Sequence, residues 1–310
     1  MNDMGVWIDT DMGFDDIAAI LTVAHAQLEI DGVSLVFGNA PMDQVRRNAA
    51  AACKAFDWRF PVYIGRDMPV LGKLETAQSI LGETGMPTSG ESLPQTPPIQ
   101  GTDAFPALCH WLQSNGPPRR ILALGPLTNI AALVLARPDL VPCIDELTWM
   151  GGGLTRGNHT ASAEFNALAD PEAVAIVLSH GIRLRMVDLD FCRTIQAGPD
   201  EVQPIRAADG KNACLLADLL AGFIGIATSR GRPTMALYDP AAAAAFVRPD
   251  LVQFVPARID MELSGALTRG RTVVETRETH GTFNGEFAAS GHAEALKAMV
   301  LAALQWEAAK

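Results

Sequence analysis

Short apolar runs alternate with segments of helical periodicity along most of the chain. The apolar runs, which are rich in Val and Ile, predict strands at 6–8, 32–38, 61–65, 121–124, 146–150 and 183–188. Apolar positions three and four apart predict helices at 16–27, 44–56, 128–136, 171–179 and 212–228. Strands that alternate with helices in this way indicate βαβ units. The pattern therefore predicts a Rossmann-like α/β fold, with a mostly parallel central sheet flanked by helices.

The segments between these elements suggest one domain and at least one long loop. No stretch has the composition of an interdomain linker, so we expect residues 1–310 to form a single domain. Residues 73–101 are rich in Gly, Pro, Ser and Thr, which is typical either of a functional loop or lid or of a disordered surface excursion. Residues 199–210 form a second polar break. Ligands of parallel sheets bind beyond the carboxyl ends of the strands, so we expect the active site there.

Composition and charge narrow the classes of partner. The 310 residues are 48% hydrophobic and 19% charged, and the mean hydropathy is +0.15. Acidic residues outnumber basic ones 35 to 24, giving a net charge of −11, which argues against a nucleic acid polymer as partner. No run approaches about 18 consecutive apolar residues, so no membrane association is expected.

Cysteine usage favours a reducing compartment. The five cysteines are odd in number, widely spaced and without a CxxC motif: Cys53, Cys109, Cys143, Cys192 and Cys214. We interpret them as reduced core thiols rather than disulfides or zinc ligands. The first residues also lack the basic segment of a signal peptide. These features together predict a cytoplasmic protein.

Four carboxylates stand within eight residues directly after the first predicted strand, in the segment DTDMGFDD at 9–16. About one acidic residue would be expected there from 35 in 310. Carboxylates this close, with no basic residue among them, either repel and raise one another's pKa or bind a cation. All-oxygen ligands favour Ca²⁺ or Mg²⁺ over zinc. The alternative is helix capping within a solvated acidic turn.

Further polar residues follow the later predicted strands. They are Gly38-Asn39, the LGPLTN turn at 124–129, Gly151–Gly153, Asn158, Glu164-Phe165-Asn166 and Tyr238-Asp239-Pro240. In order and spacing, from Asp9 to Asp239, these motifs resemble the inosine–uridine nucleoside hydrolases. The resemblance implies calcium-dependent hydrolysis of the N-glycosidic bond of ribonucleosides to ribose and free base, in purine and pyrimidine salvage. It also implies a small-molecule nucleoside as substrate and a homodimer or homotetramer.

The resemblance implies a role for each motif residue. The calcium ligands would be Asp11, Asp16, the backbone carbonyl of Leu124 and Asp239, and Asp11 would also take the proton of the attacking water. Asp15 and Asn166 would hold the ribose 2′ and 3′ hydroxyls. Asn158 and Glu164 would lie toward the 5′-hydroxyl, Asn39 near the water and the sugar, and Asp9 would support the loop.

Two positions depart from the pattern of the family. Many members have a His directly before the late Asp and another before the GE(T/S)G loop, whereas this chain has Tyr238 and Leu81. These two residues and His159 are the candidate contacts to the base, and His159 is a candidate substitute acid. Base preference therefore stays open among purine, pyrimidine and non-specific.

Two other functions are compatible with the same residues. Without the two His residues, the chain could be a non-hydrolytic, metal-dependent nucleoside- or sugar-binding protein. Asp9 and Asp11 also match, weakly, a nucleophile motif of Mg²⁺-dependent phosphohydrolases, with Asp9 as the nucleophile.

Overall fold

The apolar runs pair into one sheet in a computed structural model, which describes residues 5–114, 116 and 118–310. Within those residues the sheet has nine strands in the order β10-β9-β11-β6-β5-β4-β1-β2-β3, and β7 and β8 form a separate two-stranded sheet. The strands are β1 (Gly5–Thr10), β2 (Glu29–Leu35), β3 (Val62–Ile64), β4 (Arg120–Ala123), β5 (Glu146–Met150), β6 (Leu184–Val187), β7 (Gln196–Ala197), β8 (Met235–Ala236), β9 (Val252–Met261), β10 (Thr272–Glu275) and β11 (Gly285–Gly291).

The strand directions agree with the predicted parallel sheet. The strands from β3 through β2, β1, β4, β5 and β6 to β11 are all parallel. Strand β9 pairs antiparallel with both β11 and β10, so among the described residues it is the one strand of this sheet that runs against the others. The prediction of a mostly parallel sheet is confirmed.

Helices connect the strands and cover the sheet. They are α1 (Phe14–His25), α2 (Met42–Phe56), α3 (Gln78–Leu81), α4 (Ala104–Gln113), α5 (Thr128–Ala136), α6 (Phe165–Ala169), α7 (Pro171–Ser179), α8 (Leu189–Cys192), α9 (Val202–Arg206), α10 (Ala213–Thr228), α11 (Tyr238–Val247) and α12 (Ala293–Ala308). Short 3-10 helices lie at Pro138–Cys143, Pro199–Glu201, Pro249–Leu251 and Glu278–His280. No helix among the residues described is both long enough and apolar enough to cross a membrane.

The central strand β1 is buried on both faces. Val6 and Ile8 belong to an apolar cluster with α1, α2, α10, α11 and α12. Trp7 points to the other face, where it stacks on Tyr63 and packs against Trp111 beside α4, α5 and α7. Because β1 has no exposed face, the residues that follow its carboxyl end begin inside the protein rather than at its surface.

Some expectations from the sequence are wrong in detail. The supposed polar break at 199–210 contains a 3-10 helix and α9, because Val202 and Ile205 are buried there. The loop expected at 73–101 is mostly irregular, as predicted, and also includes the short helix α3. The cysteines are not all core residues, since Cys214 is exposed and Cys53 and Cys143 are half-buried.

Candidate active site

The acidic segment turns sharply between β1 and α1. The backbone of Met12 adopts a positive φ of 52°, an unfavourable conformation for a residue with a side chain. Gly13 then caps α1, and its amide donates a hydrogen bond to Oδ2 of Asp16 at 2.7 Å. The Thr10 hydroxyl donates to Oδ1 of the same carboxylate. These bonds fold Asp16 back over the end of β1, and local strain of this kind is common at functional sites.

Asn39 links the two ends of this turn. Its amide groups donate to both oxygens of Asp11, at 2.7 and 2.8 Å, and its side chain also reaches Oδ2 of Asp16 at 3.2 Å. The preceding residue must be small, because a Cβ built on Gly38 would lie 1.9 Å from Oδ2 of Asp11. The carboxylate of Asp11 is therefore held in place by the loop after β2.

Three carboxylates meet at the end of β1. Oxygen atoms of Asp15, Asp16 and Asp239 lie within 4.8 Å of one another, with Asp239 supplied by the first turn of α11. Asp11 adjoins Asp16 through their shared partner Asn39. The structure thus places Asp15 beside two of the metal ligands expected from the sequence.

The carbonyl of Leu124, after β4, is bound by Asn166. The Asn166 side-chain amide donates to this carbonyl at 2.8 Å and to the carbonyl of Met150, after β5, at 2.9 Å. Asn166 thereby joins the carboxyl ends of two neighbouring strands. Its side-chain carbonyl oxygen is left for another donor.

The acidic cluster is electrostatically unfavourable unless a cation or protons neutralise it. Burial and the repulsion of Asp16 raise the pKa of Asp15 to about 7. Burial, followed by the neighbouring carboxylates, raises the pKa of Asp11 and that of Asp239 well above the usual range. Within the described part of the chain, none of these carboxylates forms an ion pair with a basic side chain. A donor set of buried carboxylates and a carbonyl fits a hard divalent cation such as Ca²⁺ or Mg²⁺.

A cavity of about 600 Å³ opens above the cluster. Eleven of the twelve site residues expected from the sequence line it: Asp11, Asp15, Asn39, Leu81, Leu124, Asn158, His159, Glu164, Asn166, Tyr238 and Asp239. Asp16 is fully buried behind this floor. The sequence motifs therefore converge on one site, although their individual roles stay predictions.

Glu164 and Asn158 also stabilise the local backbone through hydrogen bonds. Glu164 caps α6, and its oxygens accept backbone hydrogen bonds from Gly152, Asn166 and Ala167 at 2.8–3.0 Å. Burial raises the pKa of Glu164 to about 7. Oδ1 of Asn158 accepts from the Phe165 amide at 3.0 Å. Both residues shape the loop 157–165 in addition to facing the cavity.

Asp9 lies below the site and does not line the cavity. It is fully buried, and its Oδ1 accepts hydrogen bonds from Ser34 at 2.6 Å and Asn129 at 2.7 Å. Burial raises the pKa of Asp9 to about 7. A carboxylate so enclosed is unsuited to attack a phosphate, which removes the phosphohydrolase alternative.

The cavity also contains residues that the motifs did not indicate. Phe223 and Ile226, three positions apart on α10, form an apolar wall with Ile80 of α3. His159 packs edge-on against Phe165, with 5.2 Å between the ring centroids. Four arginines also line the cavity: Arg156, Arg193, Arg230 and Arg232. The spacing of Phe223 and Ile226 was visible in the sequence, but it is equally typical of a core helix.

Comparisons with known proteins point to one enzyme family. The family model described as inosine-uridine preferring nucleoside hydrolase matches residues 6–304. A non-specific ribonucleoside hydrolase of Shigella flexneri is 33% identical over 271 residues, covering 87% of this chain and 88% of the relative. A pyrimidine-specific ribonucleoside hydrolase of Escherichia coli is 29% identical over 278 residues, covering 89% and 88%. The solved structure of a purine-preferring ribonucleoside hydrolase from Gardnerella vaginalis superposes with a TM-score of 0.89 at 26% identity, covering 98% of this chain and 99% of that one.

Proposed function

Because this chain belongs to the inosine-uridine preferring nucleoside hydrolase family, we propose that it hydrolyses the N-glycosidic bond of ribonucleosides in a calcium-dependent reaction. It is a nucleoside N-ribohydrolase by its family and by its relatives. The observation that carries the proposal is the convergence of four buried or half-buried carboxylates, Asp11, Asp15, Asp16 and Asp239, beneath one cavity.

Carboxylates suit this reaction because breaking the bond builds positive charge on the ribose. A fixed negative charge that faces the sugar stabilises such a transition state, and it is worth most where water is excluded. Asp11 lies at the floor with its carboxylate held by Asn39, so it is oriented to accept the proton of an attacking water.

Calcium would be held by Asp11, Asp16, Asp239 and the Leu124 carbonyl. When bound, the ion lowers the pKa of a water molecule and offers further coordination to a vicinal diol. The number of convergent oxygen donors favours Ca²⁺ over Mg²⁺, which keeps more of its own waters.

The ribose would be oriented by residues beside these ligands. Asp15 can accept hydrogen bonds from hydroxyl groups at the floor of the cavity. The side-chain oxygen of Asn166 can do so as well, because its NH₂ group is occupied by the carbonyls of Leu124 and Met150. We propose that these two residues hold the 2′ and 3′ hydroxyls, with Asn158 and Glu164 toward the 5′ end.

Release of reducing sugar tests the proposed function. We expect the purified protein to release ribose from inosine, uridine or adenosine. Dialysis against EDTA should remove at least about 95% of this activity, and added Ca²⁺ should restore it, since metal removal takes away both the cation and the oriented water. Full activity in EDTA would contradict the metal proposal.

A non-hydrolytic nucleoside-binding protein is the second candidate, favoured by the absence of His at Leu81 and Tyr238. It predicts Ca²⁺-dependent binding of inosine without release of ribose. Isothermal titration calorimetry beside the sugar assay separates the two functions.

The missing His residues also predict a dependence on the leaving group. Burial raises the pKa of Tyr238 above its usual value, so its phenol is a weak acid near neutral pH. A general acid is typically worth about 10²–10⁴-fold in rate. We therefore expect p-nitrophenyl riboside to be hydrolysed roughly a hundredfold faster than uridine.

The Tyr238→Phe variant separates stacking from proton donation. We expect its rates on both substrates to stay within about threefold of wild type, because the aromatic face is retained. Equal rates on uridine and p-nitrophenyl riboside in the wild-type enzyme would mean that another acid acts, and His159→Gln would be the next variant.

A further inference from the structure

Four arginines line the cavity, three of them at its solvent-exposed side, which we call the mouth. Arg156, Arg230 and Arg232 are exposed and Arg193 is half-buried, whereas the carboxylates of the floor are mostly buried. The cavity is therefore acidic at its inner end and basic at its outer end. The chain has a net charge of −11, so this basic cluster is a local region of positive charge on an acidic protein.

Three of these arginines have no carboxylate partner in the part of the chain that the structure describes. Within that part, twelve of the 19 arginines form ion pairs, among them Arg193 with Asp190 at 3.2 Å. For Arg156, Arg230 and Arg232, no such pair occurs among residues 5–114, 116 and 118–310. None of the described carboxylates therefore neutralises their positive charge.

The backbone that bears Arg230 and Arg232 is well anchored. Both amides donate to the Ala227 carbonyl at the end of α10, at 3.0 and 3.1 Å, and Gly231 between them takes a positive φ of 74° that closes this turn. Directly afterwards β8 pairs with β7. The two arginines therefore stand on a defined turn, which lowers the entropy lost when they bind a ligand.

Arg193 is bound to the backbone of a second loop that lines the cavity. Its guanidinium donates to the carbonyls of Arg156 at 3.1 Å and Gly157 at 3.0 Å. It therefore holds the loop from which Arg156 projects, while Asp190 balances much of its own charge. The arginines available to a ligand are those without a partner.

The apolar wall directly precedes Arg230 and Arg232 in the chain. Phe223 and Ile226 lie on α10, and the chain that leaves this helix carries Arg230 and Arg232. A ligand that fits has a polyhydroxyl end at the carboxylates, a flat apolar middle on this wall and an anionic group at the mouth. A guanidinium is well suited to bind a carboxylate or an ionised base through paired hydrogen bonds.

We propose that the preferred substrates are ribonucleosides whose base carries an anionic group, recognised by Arg230 and Arg232. The inference rests on the proposed function, because the floor must hold the ribose for the base to reach the mouth. Without these arginines, the acidic floor and the net charge of the chain would repel such a substrate.

Matched uracil substrates test the proposal. The rates to compare are kcat/KM for uridine, for 5-carboxyuridine, which adds a carboxylate to the base, and for uridine 5′-monophosphate, which places the charge on the sugar. The enzymes are wild type, the double variant Arg230→Gln/Arg232→Gln and the control Arg183→Gln. Arg183 is exposed, has no ion pair among the described residues and precedes β6, at the end of the sheet away from the cavity.

We expect the ratio of kcat/KM for 5-carboxyuridine over uridine to fall roughly tenfold in the double variant and to stay unchanged in Arg183→Gln. Intrinsic differences between the leaving groups cancel in this comparison of enzymes. The wild-type ratio should also fall with added salt, since exposed charges are screened. An unchanged ratio in the double variant would overturn the proposal, and so would a wild-type preference for uridine 5′-monophosphate over 5-carboxyuridine.

Failure of the proposed function would look different. In that case no ribose is released from uridine or inosine by the wild-type protein. The anion site is then tested directly by calorimetry, which measures the affinity of the same three proteins for 5-carboxyuridine and for uridine with Ca²⁺ present. Equal affinities for the two ligands in the wild-type protein would overturn it.

Discussion

The Asp11→Ala variant is expected to lose at least about a thousandfold in kcat on inosine. General acid–base catalysis alone is typically worth about 10²–10⁴-fold, and the proposed role of Asp11 as a calcium ligand adds to this loss. Asp11 also accepts two hydrogen bonds from Asn39, so its removal loosens the loop that faces the substrate. Steady-state release of ribose at saturating Ca²⁺ measures the effect.

Two further variants make this prediction specific. Asp11→Asn retains the size of the side chain and should lose nearly as much activity, because an amide neither accepts the proton nor offers a full negative charge to the cation. Asp43→Ala removes an exposed carboxylate on α2, outside the cavity, and should keep wild-type kcat. Near-native turnover in Asp11→Ala would place the base elsewhere.

The metal-free protein is expected to lose stability as the pH rises from about 4 to about 7. The pKa of Asp15 is raised to about 7 by burial and by Asp16, whereas an unfolded Asp titrates near 3.8. Asp11 and Asp239 shift in the same direction. Between these pH values the folded protein binds more protons than the unfolded chain, so the free energy of unfolding falls with rising pH. Each pKa unit corresponds to about 1.4 kcal/mol, and the cluster should therefore contribute several kcal/mol.

Thermal unfolding in EDTA and in Ca²⁺ measures this linkage. In EDTA, Tm at pH 8 should lie on the order of 10 °C below Tm at pH 5.5. The same difference is measured for the Asp15→Asn/Asp239→Asn variant and subtracted, because it reports the titration of the other groups. Calcium should raise Tm, and more so at pH 8, because the ionised carboxylates bind it best. A Ca²⁺ effect that is equal at both pH values would argue against these carboxylates as the ligands.

The strands from β1 to β6 followed from the sequence, but α4 and the last strands did not. The parallel strands are buried on both faces, so their apolar runs stand out, as Val6–Ile8 does. The strand Gly285–Gly291 has the sequence GEFAASG, with little β-branched or aromatic content, and Thr272–Glu275 forms an edge. Such strands are defined by their neighbours rather than by local propensity.

The site residues, too, were predictable from the sequence only in part. The acidic floor was visible because four carboxylates are crowded into residues 9–16. The basic mouth was not, because Arg156, Arg193 and the pair Arg230 and Arg232 come from separate loops that only the fold brings together. A single arginine in a loop is ordinarily a surface residue, so no local pattern distinguishes these four from the others.

Gly38 limits how this chain can vary. Its Cα lies so close to Asp11 that a methyl group alone would occupy the place of the carboxylate oxygen. The φ angle of Gly38 is not positive, so the backbone conformation at this position does not itself require glycine. A missense change in codon 38 would therefore displace the carboxylate that we propose as the general base. We expect the strands to keep their pairing in such a variant, so that activity is lost without a matching loss of protein, a defect that abundance alone would not reveal.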